Sequence, residues 1–193
     1  TSSTMTALAR GDGWLHAAAD LTPAYGDDAP ASKVQREVVF IEPDVLVVFD
    51  RVDSDANTSQ AWSLLSPLSP SIDGNRAALV GAAHRLDVER ILPAGASFGV
   101  TSMAGLDGDF HGGYRLEDTT SGGATRWLHV LALDGAVTSA SASGEAGVAL
   151  QLADGRTATV TFGADATGGH LTISGGSPSA DVGLAAGVQT LPE

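Results

Sequence analysis

The side chains with chemical reach in this sequence are few and scattered. Five histidines, His16, His84, His111, His129 and His170, stand far apart, with no His-x-His and no His-Glu-x-x-His. Spacing therefore supplies no zinc site, and all but His111 read as histidines at strand surfaces or bonded in the core. The loop Asp107-Gly108-Asp109-Phe110-His111-Gly112-Gly113-Tyr114 gathers two carboxylates, a histidine and a tyrosine. Two carboxylates two residues apart could share a hard cation such as calcium, and a His–Tyr pair could move protons. The further oxygen ligands and distal glutamate of a calcium loop are missing, so the plainer reading is a solvated acidic loop anchored by Tyr114. Thr1 has the form of an amino-terminal threonine nucleophile whose own amine is the base, but nothing else of a catalytic triad accompanies it. There is no Gly-x-Ser-x-Gly, phosphate loop or dinucleotide fingerprint.

Arg36 is the most pointed single residue. It lies in phase with Val38 and Phe40 on an apolar strand face. A charge in that position must pair with a carboxylate or reach a ligand, because an unpaired buried charge is costly. Glu42, Asp50 and Asp53 are the nearby carboxylates. The alternative is ligand contact, since the planar guanidinium fork suits sugar carboxylates and sulfates. Asp50-Arg51 reads as an end-of-strand ion pair or turn.

The elements that position these residues are strands. Val34–Glu42 alternates between two faces, Pro43-Asp44 supplies a turn, and Val45–Phe49 is apolar at every position, as in a strand covered on both sides. Further strands are predicted over Thr4–Ala9, Gln60–Pro67, Arg76–Val80, His84–Leu92, Arg126–Leu133, Gly147–Leu152, Thr157–Phe162 and His170–Ser174. Trp14–Leu21 reads as strand or short helix, and Asp154-Gly155 marks a tight hairpin. Gly105–Gly123, rich in glycine and charge, is expected to be a long loop or domain seam. The fold class is all-β: an antiparallel β-sandwich of one or two stacked layers with little or no helix.

Composition excludes several partners. The 193 residues carry 10 Lys plus Arg against 23 Asp plus Glu, a net charge of −13. That balance argues against nucleic acid, which needs a basic face, and against an anionic membrane surface. No apolar run approaches a membrane span. Zero cysteines remove disulfide scaffolds, thiolate metal sites and cysteine nucleophiles. No cofactor or metal is expected. The chain starts at Thr1 without a signal peptide, which predicts a processed chain or a fragment of a longer one.

The run Arg36-Glu37-Val38-Val39-Phe40-Ile41-Glu42-Pro43-Asp44-Val45-Leu46-Val47-Val48-Phe49-Asp50-Arg51-Val52 resembles a pattern in the β-sheet region of heparinase II/III-like polysaccharide lyases: arginine, apolar strand, turn, apolar strand, Asp-Arg. Ala61–Leu65, Pro70–Gly74 and Arg85–Pro93 follow in the order of that region's strands. Gly13-Trp14-Leu15-His16 through Tyr25 resembles the stretch before the first arginine, and Trp127–Leu131 a late strand. The resemblance suggests a β-sandwich region over residues 1–133, with terminal antiparallel strands over 134–193 completing it.

The resemblance implies an amino-terminal α/α toroid followed by β-sheet domains, in a secreted or periplasmic bacterial enzyme that cleaves uronate-containing polysaccharide by β-elimination. A base takes the proton beside the uronate carboxylate, and a tyrosine or histidine protonates the leaving oxygen. The base, the acid and the family's His-Gly-His and His-Asn-Thr stretches are absent from this sequence. No catalytic residue is therefore assigned here, and carry-over reaches Arg36 and Tyr25, as residues lining or buttressing the cleft. An acidic polysaccharide would be met through the full-length enzyme, whose positive potential must come from outside a chain of charge −13. The rival reading is a non-catalytic carbohydrate-binding or assembly sandwich. The scarcity of aromatic platforms, with 5% aromatic residues, weighs against it.

Overall fold

Strands run almost without interruption through the computed structural model, which describes residues 2–26, 28–105 and 112–189. The chain opens with β1 (Thr4–Gly11), β2 (Trp14–Asp20), β3 (Ala31–Ile41) and β4 (Val45–Ser54), with a 3-10 turn at Thr22–Ala24. There follow β5 (Ser59–Ser66), β6 (Ser71–Asp73), β7 (Arg76–Val80), β8 (Arg85–Leu92) and β9 (Ser97–Ser102). β10 (Tyr114–Ser121) and β11 (Ala124–Leu133) precede the meander β12 (Val137–Ala142), β13 (Gly147–Leu152), β14 (Thr157–Phe162), β15 (Gly169–Ser174) and β16 (Ala180–Leu184). A short β17 (Gly187–Val188) closes the described chain.

These strands form three sheets. The largest has the order β17-β1-β2-β3-β4-β11-β8-β7-β6, antiparallel except where β17 lies parallel to β1. The meander β12-β13-β14-β15-β16 packs on one face of it, and β5-β10-β9 packs on the other. The all-β antiparallel sandwich expected from the sequence is what the chain forms.

Side-chain alternation explains the unbroken apolar run in β4. Val45, Val47 and Phe49 point into the core shared with β13–β15, where Phe49 stacks on Phe162 at 4.9 Å. The alternate residues Leu46, Val48, Asp50 and Val52 face the other way, and Val52 joins the second core of Trp62, Leu116 and Trp127. Each core is contiguous, and together they bury one face of both smaller sheets.

Of the two readings of Trp14–Leu21 the chain takes the strand, with Trp14 packed on the meander core and His16 and Ala18 buried in the same phase. Two sequence expectations change. Tyr114–Ser121, within the expected loop Gly105–Gly123, is the central strand of the three-stranded sheet, with Leu116 and Asp118 buried. Arg115, Glu117, Thr119 and Ser121 fill the outward positions, and the charged Asp118 interrupts the inward ones, which hides the strand pattern. Asp50-Arg51 is no strand end, since β4 continues to Ser54. Among the described residues, no helix is long and apolar enough to cross a membrane.

Candidate functional site

The two strands that carry the arginine signature turn their charges to opposite faces of the large sheet. Arg36 and Asp50 are cross-strand partners in the β3–β4 register. Arg36 Nε donates to Asp50 Oδ1 at 2.7 Å and Nη2 to Oδ2 at 2.8 Å, a bidentate fork. The next residue on each strand points the other way. Glu37 and Arg51 meet on the meander side, with Arg51 Nη2 donating to Glu37 Oε2 at 2.8 Å.

The inner pair is sealed. His16 Nε2 lies 2.7 Å from Glu37 Oε1, and the Gly168 amide donates to the same oxygen at 3.0 Å. Arg51 donates through Nε and Nη2 to the Gly163 carbonyl and through Nη2 to the Ala166 carbonyl. Gly168 makes this possible. Its φ of 122° is a backbone conformation open to glycine, and a Cβ there would meet the Leu184 carbonyl oxygen. His16, Glu37 and Arg51 are all fully buried, so the cluster ties the Gly163–Gly168 loop to β2, β3 and β4 and reaches no solvent.

A second buried cluster lies on the opposite side, under the three-stranded sheet. Asp118 of β10 accepts from Arg90 Nη1 at 2.6 Å and lies 2.9 Å from His129 Nε2. The His129 ring stacks on Trp62 at 4.1 Å between centroids. Burial pushes His129 below the ordinary imidazole value, more strongly than Asp118 pulls it up. Asp118 is thus a fully buried charged link between the small sheet and the large one. A His–carboxylate–Arg set has the makings of proton chemistry, but among the described residues no hydroxyl side chain bonds either cluster, and both are buried.

Arg36 is the open member of the set. Its side chain is 44% exposed while Asp50 is 7% exposed. The hydrogen bonds to Asp50 raise its already high pKa and outweigh the opposing effect of partial burial, and Tyr25 lies within reach of the guanidinium. Tyr25 follows the 3-10 turn, where its amide donates to the Thr22 carbonyl, and is 58% exposed. The structure therefore brings Arg36 and Tyr25 into one neighbourhood. The predicted carboxylate partner is Asp50; Asp53 takes Arg126 instead, at 2.8 Å, and Glu42 sits exposed beside the Pro43-Asp44 turn.

Around Arg36 the same sheet face is apolar and uncovered. Leu8, Leu15, Ala17, Val38, Phe40 and Leu46 line up across β1 to β4 in register. They are half-buried and belong to neither core, because the three-stranded sheet covers only the β4-β11-β8-β7 end.

The other sequence candidates carry less. His84 pairs with Asp134 and His170 with Asp181 at the surface. Thr1 and residues 107–111 of the acidic loop lie outside the described residues, and Tyr114 opens β10. Among the described residues no group of three His, Asp or Glu side chains is arranged to hold a metal.

No protein-family model and no curated protein sequence matches the chain. Solved structures do. The heparan sulfate lyase HepC from Pedobacter heparinus superposes with a TM-score of 0.59 at 12% identity, over 95% of this chain and 28% of that one. A heparinase III structure gives a TM-score of 0.60 at 10% identity, over 95% of this chain and 27% of that one. The fold is thus shared with a region of these proteins, and the chain spans about 27–28% of their length.

Proposed function

We propose that this chain is the carboxy-terminal β-sandwich portion of a secreted heparinase II/III-like polysaccharide lyase, bracing an α/α toroid and forming one wall of its cleft. The observation that carries the reading is the uncovered apolar face of β1–β4, with Arg36 and Tyr25 at its edge. A row of leucine, valine and phenylalanine side chains left outside both cores is what a large neighbouring domain would cover. The share of the matched structures that this chain spans leaves room for such a neighbour.

In this reading the base and acid of β-elimination belong to the toroid. Arg36 and Tyr25 contact the polysaccharide from the sandwich side. Because Asp50 already balances the charge of Arg36, the guanidinium would offer directed hydrogen bonds to a uronate carboxylate or sulfate rather than net positive potential. The pairing with Asp50 also holds the fork rigid, which keeps its free edge aimed. Replacing Phe40→Asp tests the bracing role. The variant should fold alone yet fail to co-purify with the toroid, and co-purification at wild-type yield would refute it.

A further inference from the structure

A second recognition surface lies on the opposite face of the large sheet from Arg36. At the β6 end the large sheet extends past the meander, leaving a cleft of about 460 Å³. Its floor is the exposed side of β6, β7, β8 and β11, and its wall is the edge strand β12 at Val137–Ser139. That volume falls in the range of ~300–1,000 Å³ typical of small-ligand clefts.

The floor carries two guanidinium–carboxylate pairs. Arg76 of β7 reaches Glu89 across the β7–β8 register at 3.0 Å, and Arg85 reaches Asp87 at 2.7 Å. Both arginines are largely exposed, with side chains 60% and 54% open. Between the pairs, the small side chains Ala78 and Ala132 give the cleft its depth. Asp73, opposite Arg76 in the β6–β7 hairpin, adds a third carboxylate. Two positive against three negative groups leave the floor slightly acidic.

We infer that this cleft binds an uncharged, hydroxyl-rich saccharide segment. A sugar hydroxyl both donates and accepts, so neighbouring hydroxyls match a surface where guanidinium donors alternate with carboxylate acceptors. A sulfated or uronate-rich segment would meet three carboxylates and a chain of net charge −13. An added peptide strand is disfavoured, because the register shift between Val137 and Ser139 distorts the edge of β12 at the cleft. The cleft extends the polysaccharide reading with a holding site remote from the proposed cleavage wall. It does not depend on the toroid.

The test is calorimetric titration of the 193-residue chain with cellotetraose, mannotetraose and chitotetraose, beside a sulfated heparin tetrasaccharide and an unstructured Ser/Thr-rich peptide. At least one neutral tetrasaccharide should bind, and Arg85→Ala/Asp87→Ala should weaken it about tenfold, the loss of roughly one good polar contact. Removing both partners of an exposed pair leaves no orphaned charge, and circular dichroism confirms the fold. Arg115→Ala, which breaks an exposed pair with Glu117 on the three-stranded sheet, should leave binding unchanged. The proposal is overturned if no neutral sugar binds, if the sulfated sugar or the peptide binds more tightly, or if the double variant binds as the wild type does. Failure of toroid assembly would leave these outcomes untouched, so the two readings fail separately.

Discussion

Arg36 and Asp50 close a two-bond fork across β3 and β4, while their chain neighbours Glu37 and Arg51 close another ion pair through the reverse side of the same sheet. One pair is open to solvent and the other is fully buried. The difference sets what each can do. A fork at the surface can meet a ligand; a sealed pair can only hold strands and loops together.

The two pairs should respond differently to truncation. Arg36→Ala leaves Asp50 without its partner near the surface and should cost about 1–3 kcal/mol. Glu37→Ala strands Arg51 as a buried charge and should cost about 3–5 kcal/mol. Urea unfolding of both variants measures the difference, and equal losses would contradict the assignment of an open and a sealed pair.

Gly168 is where the meander gives its backbone to Glu37. Alanine there must adopt a φ of 122° and place its Cβ against the Leu184 carbonyl. We expect Gly168→Ala to destabilise the chain by about 1–3 kcal/mol, the usual cost of a strained backbone position. Thermal unfolding beside Gly183→Ala, whose Cβ would enter open space, provides the check.

His129 sets an acid limit on the small sheet. Its folded pKa lies below the ordinary value of 6.5, so the unfolded chain binds its proton first. Stability from this residue is full above pH 6.5 and falls as pH drops through the window beneath it. Arg90, Asp118 and Asp50 are the charged groups that act on the ring. Unfolding free energy measured from pH 7 downward should fall less steeply in His129→Gln than in the wild type over that window. An identical slope would show that His129 does not carry the effect.

Much of this fold is legible in the sequence. The β3–β4 hairpin follows from alternation, a proline turn and an all-apolar strand, and Arg36 is visible as a charge in apolar phase that needs a partner. Glu37 shares the phase of Val39 and Ile41, and Arg51 that of Val47 and Phe49, so both also had to be paired. His16 and Gly168 were hidden because their contacts come from β2 and a distant loop, which topology alone brings together. β10 and β12 were hidden for a different reason: serine, threonine and charge on their exposed faces mask the period of two.

In the proposed function this chain completes a lyase without supplying its catalytic acid or base. The most direct measurement is the absorbance of newly formed unsaturated uronate on heparan sulfate, for the chain alone and for the chain joined to the toroid. The chain alone should give no cleavage, the joined protein should cleave, and Arg36→Ala should lower its rate about tenfold or more, as expected when a directed donor to a charged substrate group is lost. Cleavage by the isolated chain would contradict the proposed function.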